Sequence, residues 1–377
     1  MKKYIKIIAF FAVFAFAFSS FQIIGMGESA QIPTLSARAA CLLDENGRLI
    51  YGKNENVRMP MASTTKIMTA LVALESGLPL DTVIMIPKEA VGIEGSSLYL
   101  AQGEEITLEA LLYGLLLCSA NDAAIAIAIA THKTVEGFVE KMNEKANEIG
   151  LLNTRFVNPH GLPSEGHYTT ALELGYLMAH CIRNESFLKI SGCRKIVFPK
   201  HLEGVRVMIN HNRLLGENIG VIAGKTGFTK KSGRCLVSCA TREGLNLICV
   251  TLDAPNDWSD HKSLFEFGYG AYQKLELPSI TRKIPLISGT RSEVEVSSTP
   301  LSVIIPKSFD EIEVKIEAPS FLFAGLCKGE TIGRVVYSYK GKILTTSPLV
   351  LCEDAQRIKY RFNLFEWLKN LFNIRTN

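Results

Sequence analysis

Three short stretches carry side chains whose types and spacing suit nucleophilic chemistry. The first is Met61-Ala62-Ser63-Thr64-Thr65-Lys66. Small and hydroxyl residues open it, and Ile67, Met68, Leu71, Val72 and Leu74 then recur with helical spacing. A hydroxyl in the first turn of a helix sits where free N–H groups and the dipole favour developing negative charge. Lys66 follows Ser63 by one turn, on the same face. An amine desolvated enough to be neutral there gives Ser63 its own base. The second stretch, Ser119-Ala120-Asn121, breaks two apolar runs. Polar groups at such a break are expensive unless satisfied or used. The third, Lys225-Thr226-Gly227-Phe228, follows the strand-like run Val221-Ile222-Ala223-Gly224.

Taken singly, these signals are weak. Ser-x-x-Lys recurs at Ser186…Lys189 and Ser259…Lys262, and Lys231-Ser232-Gly233 imitates the third stretch. Ser63 alone reads equally well as a helix cap beside a solvated lysine. Ser119-Ala120-Asn121, however, is the single Ser-x-Asn of the chain. Order, spacing and structural context join the three into one constellation.

The surrounding pattern predicts the elements that hold them. Runs 39–43 and 49–51 flank Asp44-Glu45-Asn46-Gly47, a hairpin signal. Thr107 caps an apolar helix over 108–117, and an Ala/Ile run over 123–130 reads as a second buried helix. Thr134 opens a third, with Phe138, Met142 and Ile149 on one face and Gly150 as its stop. Asn158-Pro159-His160-Gly161-Leu162-Pro163 is a turn-rich loop, and His160 and His167 read as turn braces. Runs 235–240 and 245–252 form a hairpin, and a helix is expected over 263–275. Alternation at Val294, Val296, Ile312, Val314 and Ile316 then predicts a separate small all-β domain over 277–355.

Composition bounds the reading. The chain has 377 residues, 21% charged and 47% hydrophobic, enough for two globular domains. A net charge of +4 gives no case for nucleic acid as a partner. The nine cysteines lack metal-ligand or Cys-x-x-Cys spacing and read as buried free thiols rather than a disulfide framework. Lys2, Lys3 and Lys6 precede an apolar run over 7–18, with small residues at Ala17, Ser19 and Ser29-Ala30 for cleavage. Residues 1–30 therefore read as a signal peptide, or an uncleaved anchor, and the rest as extracytoplasmic. In 356–377, Leu364, Phe365, Leu368, Leu371 and Phe372 share a helical face, with Arg357, Lys359, Arg361, Lys369 and Arg375 against Glu366. That composition suits a helix lying on the outer face of the cytoplasmic membrane, or one docked on its own β domain.

The blocks around Ser63, Asn158-Pro159-His160-Gly161-Leu162 and Gly224-Lys225-Thr226-Gly227-Phe228-Thr229 resemble the active-site serine penicillin-binding proteins. The likeness is to low-molecular-mass D-alanyl-D-alanine carboxypeptidases, and it spans nearly the whole mature chain. It implies an α+β, β-lactamase/transpeptidase-like domain over 31–276, with an antiparallel sheet flanked by helices plus an α lobe. Ser63 would attack the carbonyl between the terminal D-alanines of a peptidoglycan stem peptide, with Lys66 as base. Ser119 would relay the proton to the leaving amine with help from Lys225, and Asn121 would hold the substrate amide. Lys225 and Thr226 of the Lys225-Thr226-Gly227 motif would bind the terminal carboxylate. The N–H groups of Ser63 and Phe228 would form the oxyanion hole. β-Lactams would acylate the same serine, and no metal or organic cofactor is required. A β-lactamase shares the constellation, but class A enzymes need Glu-x-x-x-Asn; here Glu165 is followed by Thr169. A D,D-endopeptidase and a non-catalytic β-lactam-sensing or wall-binding protein are the other readings. The last predicts a broken motif, and none is broken.

Overall fold

The computed structural model describes residues 32–199 and 204–358. The expected signal peptide, and the C-terminal helix beyond residue 358, lie outside the described residues. Two compact units divide the chain between Gly268 and Tyr269, with turn residues 243–245 grouped with the second.

The first unit opens with the hairpin β1 (Ala39–Asp44) and β2 (Leu49–Lys53). Asp44 closes it, its Oδ1 accepting from the N–H groups of Asn46 and Arg48 at 2.9 Å each. A 3-10 turn over Ala62–Thr65 leads into α1 (Lys66–Leu74). The short strands β3 (Val83–Met85) and β4 (Glu105–Thr107) pair antiparallel. Next come α2 (Leu108–Leu117), α3 (Asn121–His132) and α4 (Val135–Glu148). The Thr107 and Thr134 hydroxyls cap α2 and α4. Helices α5 (Ala171–Cys181) and α6 (Glu185–Ser191) precede the hairpin β5 (Lys195–Pro199) and β6 (Val205–Ile209). Strands β7 (Val221–Thr229), β8 (Gly233–Arg242) and β9 (Leu245–Leu252) are followed by α7 (Asp257–Ala271).

The main sheet runs β2-β1-β9-β8-β7, with β7 as an outer strand. Successive strand side chains point to opposite faces. Leu42 accordingly meets Gly268 of α7, and Leu43 meets Gly175 of α5. Helices α2 and α3 are buried through most of their length, among Leu111, Leu115, Ile125 and Ile127. Burial of each such side chain contributes about 1.5–3 kcal/mol. That core fixes the ends of α2 and α3, and with them residues 118–122.

The second unit contains β10 (Tyr272–Leu277), β11 (Thr281–Ile287), β12 (Glu293–Ser298) and β13 (Leu301–Pro306). Strands β14 (Glu313–Glu317), β15 (Leu322–Phe323), β16 (Thr331–Tyr339) and β17 (Lys342–Leu351) complete it. Six of them form the sheet β14-β16-β17-β12-β11-β15, and β10 pairs with β13. Val296, Val335, Leu349 and Leu351 centre its core.

Several expectations need correction. The helix expected to run to residue 275 ends at Ala271, and Tyr272–Leu277 is strand. Leu275 and Leu277 alternate with Lys274 and Glu276, and pairing with β13 decides in favour of that period. Helices α5 and α6 and the β5–β6 hairpin have no counterpart among the elements expected from sequence. Five cysteines are buried, but Cys118, Cys193 and Cys352 are partly open and Cys327 is exposed.

Asp122, in the first turn of α3, holds residues 97–100 in place. Its carboxylate accepts from Ser97 Oγ at 2.6 Å, from Leu98 N at 2.9 and 3.0 Å and from Leu100 N at 3.2 Å. Asp122→Ala leaves those buried N–H groups without a partner, at about 3 kcal/mol. The expected fall in melting temperature is roughly 5–10 °C, read by calorimetry. An unchanged melting temperature would show that the loop holds without the carboxylate.

Candidate active site

Ser63 sits in the 3-10 turn rather than in the α-helix proper, which begins at Lys66. Hydroxyls explain the difference: Thr64 Oγ1 donates to Met61 O at 2.6 Å and Thr65 Oγ1 to Ala62 O at 2.8 Å. Such local bonds compete with the α-helical ladder and tighten the turn. Ala62 is held at φ +47°, a conformation that costs a non-glycine residue energy.

Lys66 is fully buried, and its Nζ has three partners. Ser63 Oγ lies at 3.0 Å, Asn121 Oδ1 at 2.6 Å and the His160 carbonyl at 2.5 Å. Burial pushes its pKa well below the ordinary lysine value, and the Lys225 charge pushes it further; Asp122 opposes them. Asn121 Oδ1 and His160 O can only accept. A neutral amine gives its two protons to them and turns its lone pair to Ser63, whose hydroxyl then donates.

Asn121 Nδ2 donates to Glu94 O at 2.6 Å, so the residue links the amine to the loop that Asp122 holds. Ser119, two residues earlier, is held at φ +60°. Its buried Oγ has no hydrogen-bond partner among the described residues. An unsatisfied buried hydroxyl costs about 1–3 kcal/mol, which a reacting group would relieve.

Lys225, Thr226, Gly227 and Phe228 all lie on β7. Lys225 is buried, and its Nζ donates to Thr226 O at 2.9 Å. Burial lowers its pKa to about 7, with Cys118 acting weakly the other way. A Cβ at Gly227 would stand 3.0 Å from Ser63 N and 3.1 Å from Thr64 N. A side chain there would crowd the N–H groups of the Ser63 turn, which would have to give way by a few tenths of an ångström. Thr226 is half-buried, and the Phe228 side chain is 65% exposed. The imitation at Ser232 is a turn residue, bonded to Thr229 through both backbone and side chain.

Two contributions have no side-chain signature in the sequence. Glu94 and His160 enter the site through their carbonyls. Loop 158–162 is held by Thr69 Oγ1 donating to Pro159 O at 2.6 Å and Gly161 N donating to Asn158 Oδ1 at 2.7 Å. Gly161, at φ +91°, is so close that a Cβ would fall 2.0 Å from Ala62 O. His167 braces the turn as expected. Its Nδ1 accepts from Val157 N at 3.0 Å, so Nε2 carries the proton and donates to Thr65 Oγ1 at 2.8 Å. Burial first, then Lys66, lowers both His160 and His167 to about 4, so both rings are neutral at pH 7. Among the described residues no group of His, Cys, Asp and Glu is arranged to hold a metal ion.

A buried amine within hydrogen-bond reach of a serine, beside strand N–H groups and a second lysine, is equipped for acyl transfer through a serine ester. Residues 26–256 match the family described as D-alanyl-D-alanine carboxypeptidase, and residues 277–357 match the C-terminal domain of penicillin-binding protein 5. The D-alanyl-D-alanine carboxypeptidase DacF of Bacillus subtilis is 31% identical over 335 residues, covering 85% of this chain and 86% of that protein. A D-alanyl-D-alanine endopeptidase of Pseudomonas aeruginosa is 34% identical over 226 residues, covering 58% of this chain and 72% of its own. The crystal structure of penicillin-binding protein 5 from Haemophilus influenzae superposes with a TM-score of 0.74 at 29% identity, over 87% of this chain and 99% of that one. The chain therefore belongs to the D-alanyl-D-alanine carboxypeptidase family of serine hydrolases, as a low-molecular-mass penicillin-binding protein.

Proposed function

We propose that Ser63 removes the terminal D-alanine of peptidoglycan stem peptides through an acyl-enzyme, and that β-lactams acylate the same oxygen. The observation that carries this reading is the 3.0 Å contact between Ser63 Oγ and the buried Lys66 amine, whose pKa burial pushes well below the ordinary lysine value. Lys66 takes the Ser63 proton as Oγ bonds to the carbonyl carbon. The N–H groups of Ser63 and Phe228 receive the oxyanion. Ser119, its hydroxyl otherwise unpartnered, passes a proton to the departing D-alanine nitrogen as the C–N bond breaks and takes the proton held by Lys66 in its place, which returns the amine to its neutral form. Water then attacks the ester, with the same amine as base, and restores Ser63. Lys225 and Thr226 hold the terminal carboxylate, which needs Lys225 as the ammonium. The remaining N–H of Asn121 Nδ2 orients the substrate carbonyl upstream. Cleavage of cross-links is a second activity to test, because the Pseudomonas aeruginosa relative is named an endopeptidase. We further propose that the chain works outside the cytoplasm, at the outer face of the cytoplasmic membrane; Lys2, Lys3 and Lys6 before an apolar run, and the basic amphipathic pattern of 359–377, support this.

Three experiments test the reading. Ser63→Ala is expected to lower D-alanine release from a D-Ala-D-Ala peptide roughly 10⁴-fold or more and to abolish covalent labelling by penicillin. Residual turnover near wild type would remove Ser63 from the mechanism. Because Lys225 titrates at about 7 in the free protein, kcat/KM should fall as pH rises through that value. In the substrate complex the bound carboxylate favours the ammonium, so the kcat limb should move to higher pH. Lys225→Arg, charged throughout, should lose the limb. A limb that persists in that variant belongs to another group. Deletion of 359–377 should release the protein from anionic vesicles in a sedimentation assay, whereas undiminished binding would place the membrane contact elsewhere.

A further inference from the structure

A cleft of about 490 Å³ lies beside the nucleophile turn, lined by Arg58, Met59, Pro60, Glu165, Tyr168 and Lys231, with His167 also at its wall. His167 is the residue that bonds Thr65 inside the Ser63–Lys66 turn, and Pro60 stands three residues before Ser63. The cleft therefore borders the turn that carries Ser63, yet none of its charged side chains has a part in the chemistry above.

Its walls are held firmly. Met59 and Thr169 exchange backbone hydrogen bonds at 2.8 and 3.0 Å. Arg58 lies over the Tyr168 ring at 4.9 Å and donates to Asn153 Oδ1 through Nε and Nη2 at 3.2 and 2.9 Å. Lys231 stands in the turn fixed by the reciprocal Thr229–Ser232 bonds. Two cations, Arg58 and Lys231, and one carboxylate, Glu165, line the cleft; all three are exposed, and the lining carries net positive charge.

Strand β7 gives the cleft its relation to substrate. It is an outer strand of the sheet, so an extended peptide can add alongside it. Gly227 packs against Ser63, while Lys225 lies two residues before it and Lys231 four residues after. On the reading above, which this inference rests on, the terminal carboxylate sits at Lys225 and the scissile carbonyl at Ser63. The acyl side of the peptide must then run past Thr229 toward Lys231, reaching it within about four residues at about 3.4 Å each.

We propose that this cleft is an acyl-side subsite that selects stem peptides bearing a free carboxylate upstream of the D-Ala-D-Ala end, with Lys231 and Arg58 as the groups that attract it. Glu165 limits the attraction and tunes rather than creates it. The charges are exposed, so each cation accounts for roughly a two- to fivefold preference, strongest at low ionic strength.

The test compares kcat/KM for two probes in low and high salt. One is N,N-diacetyl-L-lysyl-D-Ala-D-Ala, uncharged upstream; the other is L-alanyl-D-isoglutamyl-N-acetyl-L-lysyl-D-Ala-D-Ala, with a free carboxylate. Wild type should favour the second at low salt. Lys231→Ala and Arg58→Ala should each remove roughly two- to fivefold of that preference, through KM, and leave the neutral peptide unchanged. Glu165→Gln should enlarge the preference. Equal loss on both peptides, or no loss on either, overturns the subsite. Acylation by a penicillin with a side-chain carboxylate, set against benzylpenicillin, reads the same cleft without turnover. If neither peptide is hydrolysed but the variants change that acylation ratio, the carboxypeptidase reading fails and the subsite stands; an unaltered ratio sinks the subsite separately.

Discussion

The constraint on which the site depends is the burial of the Lys66 amine. In water an amine of this kind is an ammonium and no base at all near neutral pH. Removing its solvent changes that, but only because every direction around Nζ is filled by a partner that does not restore the charge. Three pieces of the first unit each contribute one such partner: the 3-10 turn Ser63, the α2–α3 junction Asn121, and loop 158–162 a carbonyl. The packed core behind α2 and α3 makes the arrangement rigid, because those helices have no open face on which to shift.

Two buried lysines are a burden on the fold. Lys225 binds fewer protons folded than unfolded between about 7 and the ordinary 10.5. In that window the unfolded state holds the extra proton, so stability rises with pH and is lost as pH falls toward 7. Lys66 acts in the same direction, with its folded value also depressed. Strained backbone at Ala62 and Ser119 adds to the cost. The Asp122 network and the interdigitated helices offset it, which places stabilising contacts next to the features that need them.

Much of this arrangement is legible in sequence because chemistry-bearing side chains were set in recognisable frames. Ser63, Lys66, Ser119, Asn121 and Lys225 each stand where an apolar period begins, breaks or ends. The buried helices α2 and α3 declare themselves by unbroken Leu and Ala/Ile runs, and the β1–β2 turn by Asn46-Gly47. What sequence does not disclose is backbone participation. Glu94 O and His160 O are indistinguishable in a sequence from any other carbonyls, since only the fold decides where they point. Helix α6 is a single short element of seven residues. Helix α5 carries Glu173 on its buried face, where it accepts from Asn153 N at 2.7 Å, so its apolar stripe is interrupted. The Tyr272–Leu277 strand fits either period locally, and only its partner strand settles the matter.

The choice of neutral partners around Lys66 follows from the same constraint. A carboxylate at position 121 would make a stronger contact with the amine, but it would favour the ammonium and undo the effect of burial. The amide of Asn121 accepts at 2.6 Å without a charge. The adjacent Asp122 does carry one, and it does oppose the depression of the Lys66 pKa. Its oxygens, however, are occupied by the Ser97 hydroxyl and the N–H groups of Leu98 and Leu100, so it pairs with neutral donors rather than with the amine. His160 and His167 complete the set: both are held neutral, one giving a carbonyl to the amine and the other a hydrogen bond to the turn that carries Ser63. An imidazolium at either position would push the Lys66 pKa lower still but would need an anion of its own nearby. Neutral acceptors are therefore the arrangement that keeps an amine basic, dry and aimed at a hydroxyl.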